Sequence, residues 1–286
     1  MSELLSAAGR AAPLPESLDD DPDGFAALLE KVERERLFQC RNYKERCLRR
    51  RIAVRMRAAS VHTYPDYARV LDHDASEYDR LLDALTINVT KLFRNSDAWQ
   101  TLGDVAMRPR VADPRRPVRV WSAGTSSGEE AYTAAALVHA QLVAEGRGTS
   151  GDLEVLGTDV DRASLAAATE GVYAASAFVE VPLAFRDRYF TPGYPARVRS
   201  ELRAVTSFMR HDLLRDAAPA GPWDLIICRN VVIYFDRDSQ EALFERFHGV
   251  LAPGGLLFLG KVETLLGRVR GMYVPVDHRQ RIFRRV

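Results

Sequence analysis

Apolar residues recur three or four positions apart from Phe25 to about Ser60, which predicts amphipathic helices. A further helical pattern runs from about Ser76 to Leu85. We therefore predict a small all-helical domain over residues 23–86. The residues before it, 1–22, are rich in Asp, Pro and Ala and lack apolar periodicity, so we expect them to form a flexible tail.

After a Pro- and Arg-rich stretch, short apolar runs alternate with helical segments. This alternation is typical of a parallel, doubly wound α/β sheet. We therefore predict a linker segment over residues 87–117 and an α/β domain over residues 118–286. The predicted strands are Val118 to Ser122, Leu153 to Gly157, Leu225 to Cys228 and Leu256 to Leu259, and the predicted helices are Glu129 to about Glu145, Asp161 to Thr169 and Ser239 to Leu251.

The stretch 173–208 interrupts the alternation. It contains three prolines, several aromatic residues and β-like pieces such as Arg197 to Val205. We therefore predict a small β-subdomain inserted into the α/β domain over residues 173–208.

Composition and charge narrow the class of protein. The 286 residues are 47% hydrophobic and 28% charged, with a formal net charge of +1, which fits a soluble globular protein and argues against a general polycation that coats nucleic acid. No apolar run approaches the ~20 residues that span a bilayer, so we expect a cytoplasmic protein. No His or Cys cluster has metal-ligand spacing, and we predict no metal site.

The charge is unevenly distributed. Residues 31–57 carry eleven basic and three acidic residues, whereas residues 1–30 carry one basic and seven acidic residues. Opposite the apolar stripe of the second helical stretch lie three arginines, and three more basic residues flank the stripe. The three opposite arginines are Arg46, Arg50 and Arg57. The three flanking residues are Lys44, Arg51 and Arg55. This face is either a docking surface for an acidic partner or an ordinary solvated face.

The loop after the first predicted strand has features of a cofactor site. Glycines at positions such as Gly124 and Gly128 let a ligand approach the backbone at a helix N-terminus. The loop lacks the G-x-G-x-x-G spacing of dinucleotide sites, and Glu129 and Glu130 would repel a pyrophosphate but suit a cationic ligand. Asp159, at the end of the second strand, suits ribose hydroxyls, although it could instead cap a helix. S-adenosylmethionine, a cationic nucleoside without phosphate, fits these features.

Six motifs occur in order along the chain. They are Tyr43-Lys44 with Leu48 to Ile52, Leu85 to Arg94, Trp121 to Tyr132, Thr158 to Asp161, Tyr189-Phe190 and Cys228 to Asp236. Together, over about residues 25–285, they resemble the CheR family of chemoreceptor glutamate methyltransferases. Departures from the family's pattern occur at Leu92, where Phe is usual, at Asp212, where Asn is usual, and at residues 260–263, where a Gly-His-Ser-Glu run is usual.

The resemblance implies a helical N-terminal domain, a methyltransferase domain with an inserted β-subdomain, and methyl transfer from S-adenosylmethionine to receptor glutamates, with S-adenosylhomocysteine as product. It implies catalytic roles for Arg94 and Tyr234. It also implies a set of cofactor-binding residues, namely Asn88, Thr90, Arg94, Glu130, Asp159, Asp212, Leu213, Arg229 and Asn230.

The expected partner is the acidic helical cytoplasmic region of chemoreceptors, attracted to the basic helix. The resemblance leaves open whether a receptor's C-terminal tether peptide docks on the β-subdomain, as it does in some family members. We expect a monomer that neither binds nucleic acid nor inserts into membranes. Two alternatives stay open: a regulatory module that binds S-adenosylmethionine without receptor methylation, and a carboxyl methyltransferase acting on a non-chemotaxis signalling protein. A nucleic-acid methyltransferase is disfavoured because the chain has no Asn-Pro-Pro-Tyr type run.

Overall fold

A computed structural model of the chain describes residues 21–36, 38, 40–85 and 90–286. The predicted tail, apart from its last two residues, therefore lies outside the described residues. The chain divides into two compact units, residues 1–87 and 88–286.

The N-terminal unit is helical, as predicted. Its helices are α1 (Pro22–Arg36), α2 (Glu45–Ala58), α3 (Tyr64–His73) and α4 (Ala75–Leu85), with a 3-10 turn at Cys40–Asn42. The helix α3 was not predicted; the Thr63 side chain caps it by accepting a hydrogen bond from the Asp66 N–H at 3.2 Å. The apolar stripes pack together in one core, whose fully buried members include Leu28, Val32, Leu48, Ile52, Tyr67 and Leu81.

The C-terminal unit has the predicted α/β architecture. Its helices are α5 (Ser96–Thr101), α6 (Arg108–Val111), α7 (Glu129–Ala144), α8 (Arg162–Glu170), α9 (Leu183–Tyr189), α10 (Ser200–Arg203) and α11 (Arg237–Val250). Its strands are β1 (Val118–Ala123), β2 (Leu153–Asp159), β3 (Val172–Tyr173), β4 (Ala196–Arg197), β5 (Thr206–Arg210), β6 (Trp223–Cys228), β7 (Leu251–Leu259), β8 (Tyr273–Asp277) and β9 (Ile282–Arg285).

Within the described residues, seven of these strands form one sheet in the order β5-β2-β1-β6-β7-β9-β8. The pairs among β5, β2, β1, β6 and β7 are parallel, and β9 pairs antiparallel with β7 and β8. Because β6 and β2 flank β1, their carboxyl ends and that of β1 meet at one edge of the sheet. Doubly wound sheets bind their ligands at such an edge.

The segment predicted as a linker, residues 87–117, is largely helical where it is described. The helix α5 continues through a π-helical stretch, Leu102–Met107, into α6. Trp99 is buried in the core, and its ring meets Phe258 of β7 edge-on at 5.3 Å between centroids. The segment is therefore packed on the α/β domain rather than extended between two domains.

The prediction of a β-rich segment over residues 173–208 needs correction. A small sheet is present, but it consists of the two-residue strands β3 and β4. Short helical pieces occupy more of the segment than these strands do, and its last strand, β5, joins the large sheet beside β2. The reason is tertiary packing: Phe178, Tyr189 and Phe190 are buried in the core of the C-terminal unit, and that burial outweighs local strand propensity.

No helix of the described residues combines the length and the apolar character that a bilayer crossing requires.

Candidate functional site

The loop from Gly124 to Gly128 connects β1 to α7 at the carboxyl edge of the sheet. Gly124 has a φ of +83°, and a Cβ added there would lie 2.5 Å from Cγ2 of Val231, so only glycine fits. The Thr125 and Ser126 hydroxyls are buried and have no hydrogen-bond partner in the part of the chain that the structure describes. Buried hydroxyls usually find partners, so these two are available to a bound ligand.

Glu130 lies in the first turn of α7, and the Ser122 hydroxyl donates a hydrogen bond to its Oε1 at 2.8 Å. Burial raises the pKa of Glu130 to about 7, while the positive charges of Arg229 and Arg94 act in the opposite direction. Glu129, beside it, is buried and accepts a hydrogen bond from the Ser127 hydroxyl instead. Glu130 is thus a carboxylate in a low-polarity setting, where a ligand ammonium group would be bound strongly.

Asp159 ends β2 next to the glycine loop. Its carboxylate accepts hydrogen bonds from the backbone N–H groups of Ser126, at 2.7 Å, and Asp161, at 3.0 Å. Burial nevertheless raises the pKa of Asp159 above its ordinary value. Asp161, rather than Asp159, caps α8, because its side chain accepts a hydrogen bond from the Ala163 N–H. The capping alternative for Asp159 therefore loses its support, and its carboxylate remains oriented toward the loop.

Asp212 and Leu213 follow β5, the strand beside β2. The backbone joins this loop to the β2 end, because the His211 N–H donates a hydrogen bond to the Asp159 carbonyl at 2.9 Å. Asp212 Oδ1 accepts a hydrogen bond from the Leu214 N–H, and Arg246 of α11 donates to the Leu213 carbonyl. The Leu213 side chain is buried. The loop is thus fixed at the same sheet edge as Asp159.

Arg94 lies in a constrained segment before α5. Phe93 and Asn95 on either side of it have left-handed backbones, with φ of 53° and 61°. The Arg94 carbonyl accepts hydrogen bonds from Arg229 Nη1 at 3.0 Å and from Trp99 Nε1 at 3.1 Å. The Arg94 side chain is half-buried, and its charge acts on the carboxylate of Glu130.

Arg229 has a structural role besides the one predicted for it. Its guanidinium is buried, donates through Nη1 to the Arg94 carbonyl and through Nη2 to Asn95 Oδ1, and stacks on the ring of Phe258 at 4.6 Å. Only Nε has no partner among the described residues. Arg229 therefore supports the Arg94 segment, and its contact with a cofactor stays a prediction.

Asn230 and Tyr234 belong to the segment after β6. Asn230 has a φ of 62°, and Tyr234 ends a 3-10 turn at Val232–Tyr234. The Glu263 carboxylate, which is only 3% exposed, accepts hydrogen bonds from the backbone N–H groups of Asn230 and Val231, both at 2.9 Å. Four of the parallel strands thus bring predicted site residues to one edge. Glu130, which follows β1, interacts electrostatically with Arg229, which follows β6, and with Arg94 from the segment before α5.

Comparisons with known proteins agree with this geometry. A family model described as CheR methyltransferase, SAM binding domain, matches residues 88–281, and one described as CheR methyltransferase, all-alpha domain, matches residues 23–86.

The chain belongs to the CheR methyltransferase family.

Relatives support the same conclusion. The chain is 34% identical over 223 residues to Chemotaxis protein methyltransferase 2 of Pseudomonas aeruginosa, covering 76% of this chain and 77% of that protein. It is 32% identical over 232 residues to the Chemotaxis protein methyltransferase of Escherichia coli, covering 78% of each. A 35% match over 245 residues covers 85% of this chain but only 25% of an uncharacterized 104.1 kDa protein of Rhodobacter capsulatus.

CheR methyltransferases are S-adenosylmethionine-dependent protein-glutamate methyltransferases of chemotaxis, and the chain has the S-adenosylmethionine-binding domain of this family. The residues at the sheet edge fit that cofactor. Buried carboxylates at Glu130 and Asp159 suit an ammonium group and a pair of ribose hydroxyls, and the glycine loop between them leaves room for close approach. No group of three or more potential metal ligands is found among the described residues.

The basic helix of the CheR all-alpha domain is α2, and the structure divides its predicted docking residues. Lys44, Arg46, Arg50 and Arg57 are exposed. The prediction is wrong for Arg51, which is 6% exposed and donates a hydrogen bond to the Leu85 carbonyl.

Arg55 is also committed to the interior of the helical domain. Its Nε donates to Oε1 of the buried Glu77 at 2.9 Å, and Tyr67 donates to the same carboxylate. A helical wheel places Arg51 and Arg55 on the flank of α2, but the groups that they meet come from α4. The predicted docking face is thus reduced to the exposed residues Lys44, Arg46, Arg50 and Arg57.

Asn88 lies outside the described residues, and Thr90 is half-buried in irregular backbone. Sequence reasoning did not assign a role to the carboxylates of Glu263 and Glu180. The Glu180 carboxylate accepts a hydrogen bond from the Asn95 N–H at 2.6 Å. A signal for Glu263 existed in the unusual run of residues 260–263, but nothing local pointed to Glu180, since its partner is 85 residues away.

Proposed function

We propose that the chain methylates glutamate side chains in the acidic helical cytoplasmic region of chemoreceptors, forming methyl esters for sensory adaptation. The observation that carries the proposal is the position of the Arg94 segment. A half-buried arginine is fixed next to a carboxylate of raised pKa, Glu130, at the ligand-binding edge of the sheet. This transfer needs a cationic side chain that binds the acceptor carboxylate and an anionic side chain that binds the cofactor ammonium group.

The chemistry asks for positioning more than for proton transfer. A receptor glutamate is already ionised at neutral pH, with an ordinary pKa of about 4.3, so it needs no general base to become a nucleophile. S-adenosylmethionine supplies a methyl group on a sulfonium leaving group. Because neither a base nor a Lewis acid is required, we propose that no metal takes part. Orientation alone supplies roughly 7–11 kcal/mol in favourable cases.

Each residue then has a distinct task. Arg94 orients the acceptor carboxylate, and Tyr234 shapes the pocket around the transferred methyl group. Glu130 binds the amino group of the cofactor and Asp159 its ribose, with Asp212 and Leu213 at the adenine. The remaining cofactor contacts are assigned by family resemblance to Asn88, Thr90, Arg229 and Asn230.

A labelling experiment tests this function. The protein is incubated with S-adenosylmethionine labelled in its methyl group and with membranes that contain chemoreceptors. We expect label on receptor protein that is released by mild base, as an ester is. The matched control is Arg94→Lys, which keeps the charge but loses the planar fork, and it should label at least about 10-fold more slowly. Cofactor binding without label transfer would favour the regulatory-module alternative instead.

We further propose that the exposed arginines of α2 attract the acidic receptor. Arg46, Arg50 and Arg57 are exposed and have no ion-pair partner among the described residues. Long-range attraction of this kind raises association rates and weakens as salt screens it. The alternative is that the face is merely solvated.

Charge reversal separates the two readings. We expect the triple variant R46E/R50E/R57E to lower kcat/KM for receptor about 10-fold at low salt and much less at high salt. The control reverses Arg108, Arg270 and Arg284, which are exposed arginines of the C-terminal unit, and so changes net charge equally. Equal effects of the two triple variants would show that net charge alone matters and that α2 is not a docking face.

We propose that a receptor C-terminal tether peptide docks on the segment containing β3 and β4, where Val179, Leu183 and Tyr194 are exposed. Titration of a receptor's C-terminal peptide against the wild type and L183D, with peptide fluorescence anisotropy as readout, tests it. Equal binding to both proteins, or to neither, contradicts the proposal. We also propose that the protein is cytoplasmic and monomeric. Sedimentation of the full chain would check the oligomeric state.

A further inference from the structure

Glu263 is a buried carboxylate of the C-terminal unit that the proposed reaction does not use. It follows β7 and is 3% exposed. Its Oε2 accepts hydrogen bonds from the backbone N–H groups of Gly260, at 2.6 Å, and Asn230, at 2.9 Å, and its Oε1 accepts from Val231, at 2.9 Å. One side chain therefore joins the loop after β7 to the segment after β6.

The surroundings leave the carboxylate no freedom. A Cβ added at Gly260 would lie 2.7 Å from Glu263 Oε2 and 3.0 Å from the Asn230 nitrogen. Asn230 itself has a left-handed backbone, a conformation that a non-glycine residue keeps only when its neighbours hold it. Without Glu263, the N–H groups of Asn230 and Val231 would be left without these acceptors in a partly buried place.

The fixed segment leads directly to functional groups. The Val231 side chain fills the space above Gly124 in the glycine loop, and the Val231 carbonyl accepts a hydrogen bond from the Tyr234 N–H at 3.3 Å. At the far end, Gln240 of α11 donates to the carbonyls of Val232 and Phe235. The segment is thus held at both ends, by Glu263 before Tyr234 and by Gln240 around it.

We infer that Glu263 is a positioning residue of the methyl-transfer site, which sets Tyr234 and the wall of the glycine loop through the backbone of Asn230 and Val231. It does not touch substrate, because both of its oxygens are occupied by N–H groups of the protein. The expected effect on kcat rests on the proposed function. The restraint of the backbone by Glu263 does not depend on that function.

The test compares Glu263→Gln with Asp224→Asn. Asp224 is a carboxylate of similar burial, 4% exposed, which also accepts a backbone N–H but lies at the start of β6, at the opposite end of that strand. The amide that replaces the carboxylate in E263Q presents an N–H to a backbone donor and so loses at least one of the three hydrogen bonds. We expect E263Q to lower kcat about 10- to 100-fold with a smaller change in KM for S-adenosylmethionine. D224N should lose stability in urea and keep kcat within about twofold.

A second variant and a second readout keep the test decisive. Gly260→Ala retains Glu263 but crowds its carboxylate, and it should lower kcat in the same way. Hydrogen exchange at the Asn230 and Val231 amides, measured without turnover, should rise at least about 10-fold in E263Q and G260A, and not in D224N. If exchange is faster in E263Q and G260A but the wild type shows no labelling activity, the proposed reaction is rejected and the backbone restraint by Glu263 is retained. Unchanged exchange, or a kcat in E263Q and G260A equal to that of D224N, would overturn the inference.

Discussion

Glu130 should make cofactor binding depend on pH in the neutral range. Burial raises its pKa to about 7, so the carboxyl group is largely ionised at pH 8 and largely neutral at pH 6. With a pKa of about 7, the ionised fraction falls from about 0.9 to about 0.1 over those two pH units. If only the ionised form binds the ligand ammonium, the apparent Kd rises about 10-fold from pH 8 to pH 6.

The assay is calorimetric titration of S-adenosylhomocysteine, which keeps the amino group of the cofactor, at pH 6, 7 and 8 and constant ionic strength. Glu130→Gln is the matched control, because it keeps the size of the side chain and cannot titrate. The ligand's own titration is common to both proteins, so the difference between the two profiles reports Glu130. Parallel profiles for wild type and E130Q would refute the reasoning.

The same residue should lower the stability of the free protein. Because its pKa in the folded state lies above the ordinary value of 4.5, folding favours the neutral form. Stability is therefore unaffected below pH 4.5 and is lost progressively as the pH rises toward 7. At pH 8 the loss reaches roughly 3 kcal/mol. E130Q should accordingly unfold at higher urea than the ligand-free wild type at pH 8, and the gap should narrow at pH 5. A gap that is the same at both values would contradict the assignment.

Three further predictions follow from named contacts. Asp224→Ala should lower the free energy of unfolding by about 3–5 kcal/mol, because Arg110, Arg116 and the Arg119 N–H all donate to this buried carboxylate. Urea unfolding followed by tryptophan fluorescence measures the loss, and a loss below about 1 kcal/mol would contradict the prediction. Although burial opposes ionisation of Glu77, hydrogen bonds from Arg55, Tyr67 and Arg80 hold its pKa below the ordinary value, so the helical unit should lose stability as pH falls below about 4.5. Circular dichroism should show a weaker dependence on pH in E77Q than in the wild type. Gly124→Ala should weaken S-adenosylhomocysteine binding at least about 10-fold, whereas Gly146→Ala, which has a similar φ but open space around its Cβ, should leave binding unchanged.

Much of the fold follows from local patterns. Four of the five parallel strands and the long helices of the C-terminal unit were predicted because apolar runs and helical periodicity are strong there; the exception is β5. The antiparallel pair β8 and β9 was not, since Pro275 interrupts the strand pattern and the pairing partner comes from the far side of a turn. Residues 173–208 were misjudged because prolines and aromatic residues indicate strands and turns locally, while their burial against α7 and the sheet selected short helices.

The site could be predicted as far as topology dictates it. Glu130, Asp159, Asp212 and Asn230 follow strand ends, and parallel strands bring their carboxyl ends together. The roles of Arg51, Arg55 and Arg229 could not be predicted, because each is set by a partner distant in sequence. In every case the charged group meets a carbonyl or a carboxylate from another element, and a single-helix or single-loop pattern contains no information about that partner.

The backbone around Arg94 accounts for the hydrogen bonds that residues distant in sequence make to this segment. Phe93 and Asn95 both have left-handed backbones, and such a conformation costs roughly 1–2 kcal/mol for a residue other than glycine. Glycine at either position would remove the strain, but it would also free the chain on both sides of Arg94. Instead, the Phe93 N–H is bound by Thr133, the Asn95 N–H by Glu180, and the intervening carbonyl by Arg229. Strain that is retained and over-restrained at one point is typical of a functional site. Here it fixes the backbone that carries Arg94, which is what the proposed orienting of an acceptor carboxylate requires.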